Sequence, residues 1–315
     1  MTTTSALTAP GTSGADPGAS AKIAVTKTKL PGPLTFIIRV IATLWSNTKS
    51  RIGLILFTLI ILIALFSPLI VPYSPKVTSF APYAPSSGAH WLGTTGNGED
   101  VLSQLLYGSR ISLLVGLTAG LIGTFVAVSV GLLSGYRPGM VDNVISFVVN
   151  LALLIPGIPL MIVMAAYLPR GLLVIIFVSV ITGWAYGARV IRSQTSALRS
   201  RDFVTAAALS GDSTARIIFR EIMPNMTSLV AGSFFGAAIG AVLGEASLEF
   251  LGLGDLSTVS WGTMLYWAQN SGAILTGRWV VVLAPGLAIA LLMAAFTLIN
   301  FGVDALSNPR LREKA

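Results

Sequence analysis

The sequence predicts an all-α membrane protein with six transmembrane helices and both termini in the cytoplasm. Three observations carry that expectation. Of the 315 residues, 54% are hydrophobic and only 10% are charged, with a mean hydropathy of +0.81, whereas a soluble domain has about 25% charged residues. Apolar stretches long enough to cross a hydrocarbon core of about 30 Å fall near 52–72, 111–135, 141–167, 171–189, 226–246 and 279–303. With the amino terminus inside, sixteen of the 20 Lys and Arg residues lie on inner segments, and only Lys76, Arg110, Arg170 and Arg278 lie outside. That asymmetry is what the positive-inside rule requires.

The elements follow in order. Residues 1–33 are rich in Thr, Ser, Ala, Gly and Pro without apolar periodicity, so a solvated, disordered cytoplasmic tail is expected. The first apolar core begins at Leu34, too late for a cleavable signal peptide, so insertion without cleavage is expected. Leu34 to Trp45 is too short to cross and carries Arg39. It reads as an interfacial helix over 34–50, or else as an inward extension of the first span. Residues 51–312 then form one six-span domain, with turns at Tyr136–Gly139 and Pro169–Gly171 where Pro and Gly interrupt apolar runs. Residues 313–315 are a tail.

Composition removes several function classes. There is no cysteine and a single histidine, His90, so thiol chemistry, histidine triads and multi-histidine metal sites are not expected. His90 reads as a loop hydrogen-bonder. The net charge of +8 and pI near 10.0 are accounted for by membrane orientation, and nucleic acid is not an expected partner. No Gly-rich phosphate loop is present, so ATP hydrolysis by this chain alone is not expected.

The spans carry few ionisable groups: Asp142 near an inner end, Glu245 and Glu249 near an outer one. An ion-coupled carrier needs oxygen ligands at mid-depth, which argues against that class. Gly232, Gly236, Gly240 and Gly244 recur every fourth residue, and Gly116/Gly120 and Gly131/Gly135 repeat the spacing. Such stripes are helix-packing faces, within the chain or across a subunit boundary. On the outer side, Glu245, Glu249 and Trp261 are candidates for a pathway or platform, with an interfacial aromatic belt as the alternative for Trp261.

The inner segment 190–224 stands out. It gathers six arginines, counting Arg189, around Thr205-Ala-Ala-Ala-Leu-Ser-Gly211, good helix formers followed by a glycine stop. A second short helix is expected from Thr214 to Met223, closed by Pro224. A structured connection of this length is either a docking element or a solvated basic loop.

The run from Asp202 to Asn225, with Ala206, Ala207, Gly211 and Pro224 at landmark positions, resembles the cytoplasmic loop of permease subunits of bacterial ABC importers. Arg216-Ile-Ile-Phe-Arg220 resembles the dipeptide/oligopeptide branch. Leu106-Tyr-Gly-Ser-Arg-Ile-Ser112, Glu245-Ala-Ser-Leu-Glu-Phe-Leu-Gly-Leu-Gly254, Ser260-Trp-Gly-Thr-Met-Leu265 and Asp304-Ala-Leu-Ser-Asn-Pro-Arg-Leu311 extend the likeness across about 51–312. Thr205, Ala208 and Glu221 depart from the glutamate, arginine and histidine usual in the family, and Gly98-Glu-Asp100 departs from Gly-Arg-Asp.

The resemblance implies type I ABC importer permease architecture in a bacterial cytoplasmic membrane. It implies a second homologous permease, two cytoplasmic ATPase domains that hold ATP and Mg, and an extracytoplasmic substrate-binding protein. This chain would bind no cofactor or metal. Asp202, Thr205, Ala206, Ala207, Gly211, Arg216, Arg220, Glu221 and Pro224 would couple to the ATPase, and this chain would form half of the pathway for short peptides. The same architecture carrying oligosaccharides or nickel is an alternative, as is a membrane anchor that recruits a soluble partner.

Overall fold

The computed structural model describes Leu44, Trp45 and residues 47–307. The expected tails at 1–33 and 313–315, and most of the expected interfacial helix at 34–50, lie outside the described residues. Within them, five helices are long and apolar enough to cross a membrane, or six if one bent pair counts as a single span.

Helix α1, Thr48–Ile70, starts where the Asn47 side chain accepts hydrogen bonds from Lys49 N (2.9 Å) and Ser50 N (3.4 Å). Helix α2, Val101–Tyr136, starts ten residues before the expected span, because Asp100 caps it by accepting from Ser103 N at 2.8 Å. At 36 residues α2 is about 54 Å long, more than the bilayer core, and its first turns stand clear of the apolar run.

The expected continuous span 141–167 is two helices, α3 (Met140–Leu154) and α4 (Gly157–Tyr167), bent by 84° at the break. Pro156 explains the correction. Its ring forces Ile155 out of the helical region, to ψ 124°, and it lacks the N–H that a continuous helix needs.

Helix α5, Leu172–Arg199, runs ten residues past the expected inner end. Those turns are held by packing: Ile191 and Thr195 are fully buried, seated over Gly131 and Gly135 of α2, where any Cβ would collide with them. Helix α6, Asp202–Leu209, occupies the expected short helix. After it, the turn α7 (Thr214–Arg216) widens into a π segment, Ile217–Ile222, and a 3-10 turn, Met223–Met226, before α8, Thr227–Phe250. The expected stop at Pro224 therefore does not occur. Pro224 sits in the first turn of the 3-10 segment, where no N–H is required. Helix α9, Trp261–Asn270, opens on a capping box formed by Ser260 and Thr263, and α10, Trp279–Ser307, closes the bundle.

α2 is the axis of the packing. Val242 of α8 fills the place of a side chain at Gly116, and Ala238 does so at Gly120. Phe296 of α10 is fully buried, with ring centroids 5.3 Å from Phe57 of α1 and 5.9 Å from Phe235 of α8. Outward, Leu69, Phe125, Leu154 and Leu173 are exposed. That is the pattern of a chain whose solvent is hydrocarbon.

Candidate functional site

α6 is built to be short. Gly211 adopts φ +83°, with nothing near the place of a Cβ. Asp212 N bonds Ala207 O at 3.2 Å and Gly211 N bonds Ala208 O at 3.1 Å, the paired 6→1 and 5→2 closure that ends a helix at glycine. One side chain anchors the element. Val204 is buried in an apolar cluster with Ile191 of α5, Val128 and Leu132 of α2, and Ile217, Ile222 and Met226. A displacement of α6 must therefore be felt by two long helices, because close-packed clusters transmit strain.

The other face of α6 is open. Asp202, Thr205, Ala206 and Gly211 are exposed, and Ala207 is half-buried against the same cluster. Arg216 pairs with Asp212 at 2.7 Å, while Arg220 and Pro224 are exposed and Glu221 is half-buried. Sequence reasoning passed over Phe203, Leu209 and Phe219, which are 40%, 85% and 65% exposed. Sequence alone does not single them out, because Val204, Ile217 and Ile222 in the same connection are as apolar and yet buried.

A cavity of 650 Å³ opens between α2, α4, α5, α8 and α10, with Gly232, Gly236 and Gly240 in its wall. A Cβ on Gly236 or Gly240 would meet nothing within 4 Å. Only Gly244 in this stripe is in close contact, with Met161 of α4. The α2 glycines Gly116, Gly120, Gly131 and Gly135 are seats for neighbouring helices, whereas Gly236 and Gly240 of the α8 stripe face open space within this chain. Sequence spacing is the same in the two cases; the presence or absence of a neighbouring helix separates them.

Glu245, Glu249 and Trp261 are 0%, 1% and 3% exposed, so they face the chain's own interior. Ser112 of α2 donates to both oxygens of Glu245 at 3.3 Å. Glu249 accepts from Ser260 Oγ, which in turn accepts from Gly262 N (3.1 Å) and Thr263 N (3.2 Å). Trp261 donates Nε1–H to Leu105 O at 3.0 Å. These residues fasten α9 to α2 and α8. Beyond them, Asp255 accepts from the side chain and backbone of Ser257, which holds its carboxyl below the usual range.

His90 is the hydrogen-bonder that its isolation suggests: Nδ1 lies 2.9 Å from Asp100 Oδ1, and the ring packs in a three-ring cluster with Tyr73 and Phe80.

The family model described as binding-protein-dependent transport system inner membrane component matches residues 127–313, more than half of the chain. The chain belongs to this family. A second model, the N-terminal TM domain of oligopeptide transport permease C, matches residues 35–87. Among similar proteins, the oligopeptide transport system permease protein OppC of Bacillus subtilis is 31% identical over 270 residues, 85% of this chain and 88% of that protein. The di/tripeptide transport system permease protein DppC of Pseudomonas aeruginosa is 33% identical, over 86% of this chain and 91% of that protein. The glutathione transport system permease protein GsiD of Pectobacterium atrosepticum is 33% identical, over 81% and 84%. The inward-facing structure of the MetNI methionine ABC transporter aligns with TM-score 0.52 at 21% identity, covering 65% of this chain and 95% of that one. That likeness shows a shared fold.

In this permease the expected residues therefore separate into three places. Those from Asp202 to Pro224 lie on α6 and the turns that follow it, Gly232, Gly236 and Gly240 wall a cavity, and Glu245 and Glu249 are internal braces. A fourth place, at the start of α3, was not foreseen as a site. There Asp142 accepts from Arg192 Nε and Nη2 at 2.5 and 2.7 Å and from Ser134 and Ser146, and Arg189 donates to Asn150 at 2.7 Å.

Proposed function

We propose that this chain is the non-catalytic permease subunit of an ATP-driven importer of short peptides. It crosses a bacterial inner membrane six times with both termini cytoplasmic, counting the bent α3–α4 pair as one span. The observation that carries the reading is α6: a helix fastened by Val204 to α2 and α5, ended at Gly211, and presenting Phe203 and Leu209 to an aqueous surface. An exposed apolar knob of this kind fits a cleft on a soluble partner, here a cytoplasmic ATPase subunit.

Asp202, Thr205, Ala206, Ala207, Gly211, Arg216, Arg220, Glu221 and Pro224 form or frame the contact surface. The partners are a second homologous permease, two ATPase domains carrying ATP and Mg, and an extracytoplasmic binding protein that delivers cargo. This chain itself holds no cofactor. Closure of the ATPases moves α6, Val204 carries the movement into α2 and α5, and the wall formed by α8 opens to the outer or the inner side. ATP acts on a two-state packing equilibrium.

The peptide cargo rests on the relatives, whose names cite oligopeptides, di- and tripeptides and glutathione. The test is uptake of labelled peptides into proteoliposomes holding the complete transporter, with the loaded binding protein outside and ATP inside. ATP-dependent accumulation supports the reading. A complete, ATP-hydrolysing transporter that accumulates no peptide refutes it.

A further inference from the structure

Glu245 and Glu249 lie one turn apart on the same face of α8, and their carboxyl groups are within hydrogen-bond reach of each other. They are 0% and 1% exposed, and the side chains that donate to them are the neutral hydroxyls of Ser112 and Ser260. Among the described residues no Lys, Arg or His pairs with either. An ionised carboxylate buried without a cation is costly, and a second one beside it adds repulsion. One proton held between the two removes a charge and supplies a hydrogen bond from one carboxyl to the other.

The neighbouring groups do not balance the pair in any other way. On α2, Arg110 is exposed and lies over the Tyr107 ring. Asp255, between α8 and α9, is a further acid and is bonded by Ser257. Tyr266 of α9 packs on Gly252, and Asp304 of α10 stands at the far end of that helix.

The pair also fixes the position of a short helix. Glu249 accepts from Ser260, the cap of α9, and a Cβ on Gly262 in the first turn of α9 would collide with Glu249. Glu245 reaches α2 through Ser112. With Thr263, Met264 and Trp267, α9 walls a pocket of 320 Å³ that also includes Lys76, Asn97 and Glu99. The seating of α9 therefore sets the shape of that pocket.

We propose that Glu245 and Glu249 hold one proton between them and that this proton seats α9 on α2 and α8, so that loss of the proton releases α9 and opens the pocket it walls. Separated and in water, both carboxyls are ionised at neutral pH. The released state thus binds fewer protons, and release is favoured as pH rises.

The chain has no native cysteine, so Ala268→Cys, at a position 1% exposed on α9, reports the seating of α9 through its rate of maleimide labelling in the complete transporter. The rate is measured from about pH 6 to about pH 9 in the otherwise native chain and in a Glu245→Gln background, and the ratio of the two cancels the thiol's own response to pH. An amide donates a hydrogen bond as a protonated carboxyl does and cannot ionise, so the Glu245→Gln background is expected to keep α9 seated throughout. The ratio is expected to rise about tenfold per pH unit, the slope for one proton lost on release. In parallel, infrared difference spectra at neutral pH are expected to show a protonated-carboxyl band in the native chain that Glu245→Gln removes. A ratio that stays constant with pH overturns the inference, as does the absence of that band. A Glu245→Gln chain that fails to assemble, or that labels rapidly even at about pH 6, overturns it too, because an amide would then not replace the group that holds the proton.

Discussion

Arg192 on α5 grips Asp142 at the start of α3 through two near-parallel hydrogen bonds, 2.5 Å from Nε and 2.7 Å from Nη2. Such bidentate pairs are strong and geometrically specific. Here the pair ties the first turn of α3, and with it the bent α3–α4 unit, to the helix that leads into α6.

Breaking this pair from one side leaves the other partner partly buried and unpaired. Asp142→Asn and Arg192→Met are expected to destabilise the detergent-solubilised protein by about 1–3 kcal/mol. Replacing both residues with apolar ones is expected to cost less than the sum of the single changes. Thermal unfolding of the four-member cycle measures this, and additive losses would argue that the two residues are not coupled.

The glycines separate stability from passage. A side chain at Gly120 would press on the Ala238 backbone at 3.2 Å, whereas one at Gly236 meets open space. Gly120→Val is expected to destabilise by about 1–3 kcal/mol. Gly236→Ala is expected to stabilise α8 by up to about 1 kcal/mol while slowing uptake by narrowing the cavity. Melting temperature and uptake rate should thus move in opposite directions for Gly236→Ala.

Asp100 caps α2 and holds His90. Asp100→Ala is expected to cost about 1–2 kcal/mol and to free the loop that contains Phe80 and His90. Limited proteolysis from the extracytoplasmic side should then cut between residues 73 and 100 in the variant and spare the wild type.

Leu209 and Val204 lie one turn and a half apart on α6 with opposite burial, 85% exposed against 3%. Leu209→Ser is expected to leave stability within about 0.5 kcal/mol and to reduce co-purification of the ATPase subunit. Val204→Ala is expected to lower stability by about 1–2 kcal/mol and to weaken the link between ATP hydrolysis and uptake. If Leu209→Ser retains the ATPase fully, the apolar knob is not the docking contact.

The spans were readable from sequence because burial in hydrocarbon leaves long apolar runs, and α6 was readable because an alanine run ended by Gly211 permits little else. Other features depend on neighbours that lie far away in sequence. The break at Pro156 was hidden inside an uninterrupted apolar stretch, although the Ile155-Pro156 pair carried its signal. The early start of α2 was marked only by Asp100, and the late end of α5 only by the Arg192 pairing and the glycine seats at Gly131 and Gly135. Spacing could not tell whether the α8 stripe packs within the chain, since that depends on whether a helix of this chain lies against it, and among the described residues none lies against Gly236 or Gly240. Glu245 and Glu249 read as candidates for a pathway or platform, and their burial was not legible because it depends on partners distant in sequence. Ser112 and Ser260 supply hydrogen bonds that allow both to be buried.

The chain contains no native cysteine, so a single Ala206→Cys substitution reports cleanly on the surface that matters most. In sealed inside-out vesicles, a membrane-impermeant maleimide should label that cysteine in the isolated permease, and the bound ATPase should shield it in the assembled transporter. Labelling from the extracytoplasmic side, or equal labelling with and without the ATPase, would contradict the account.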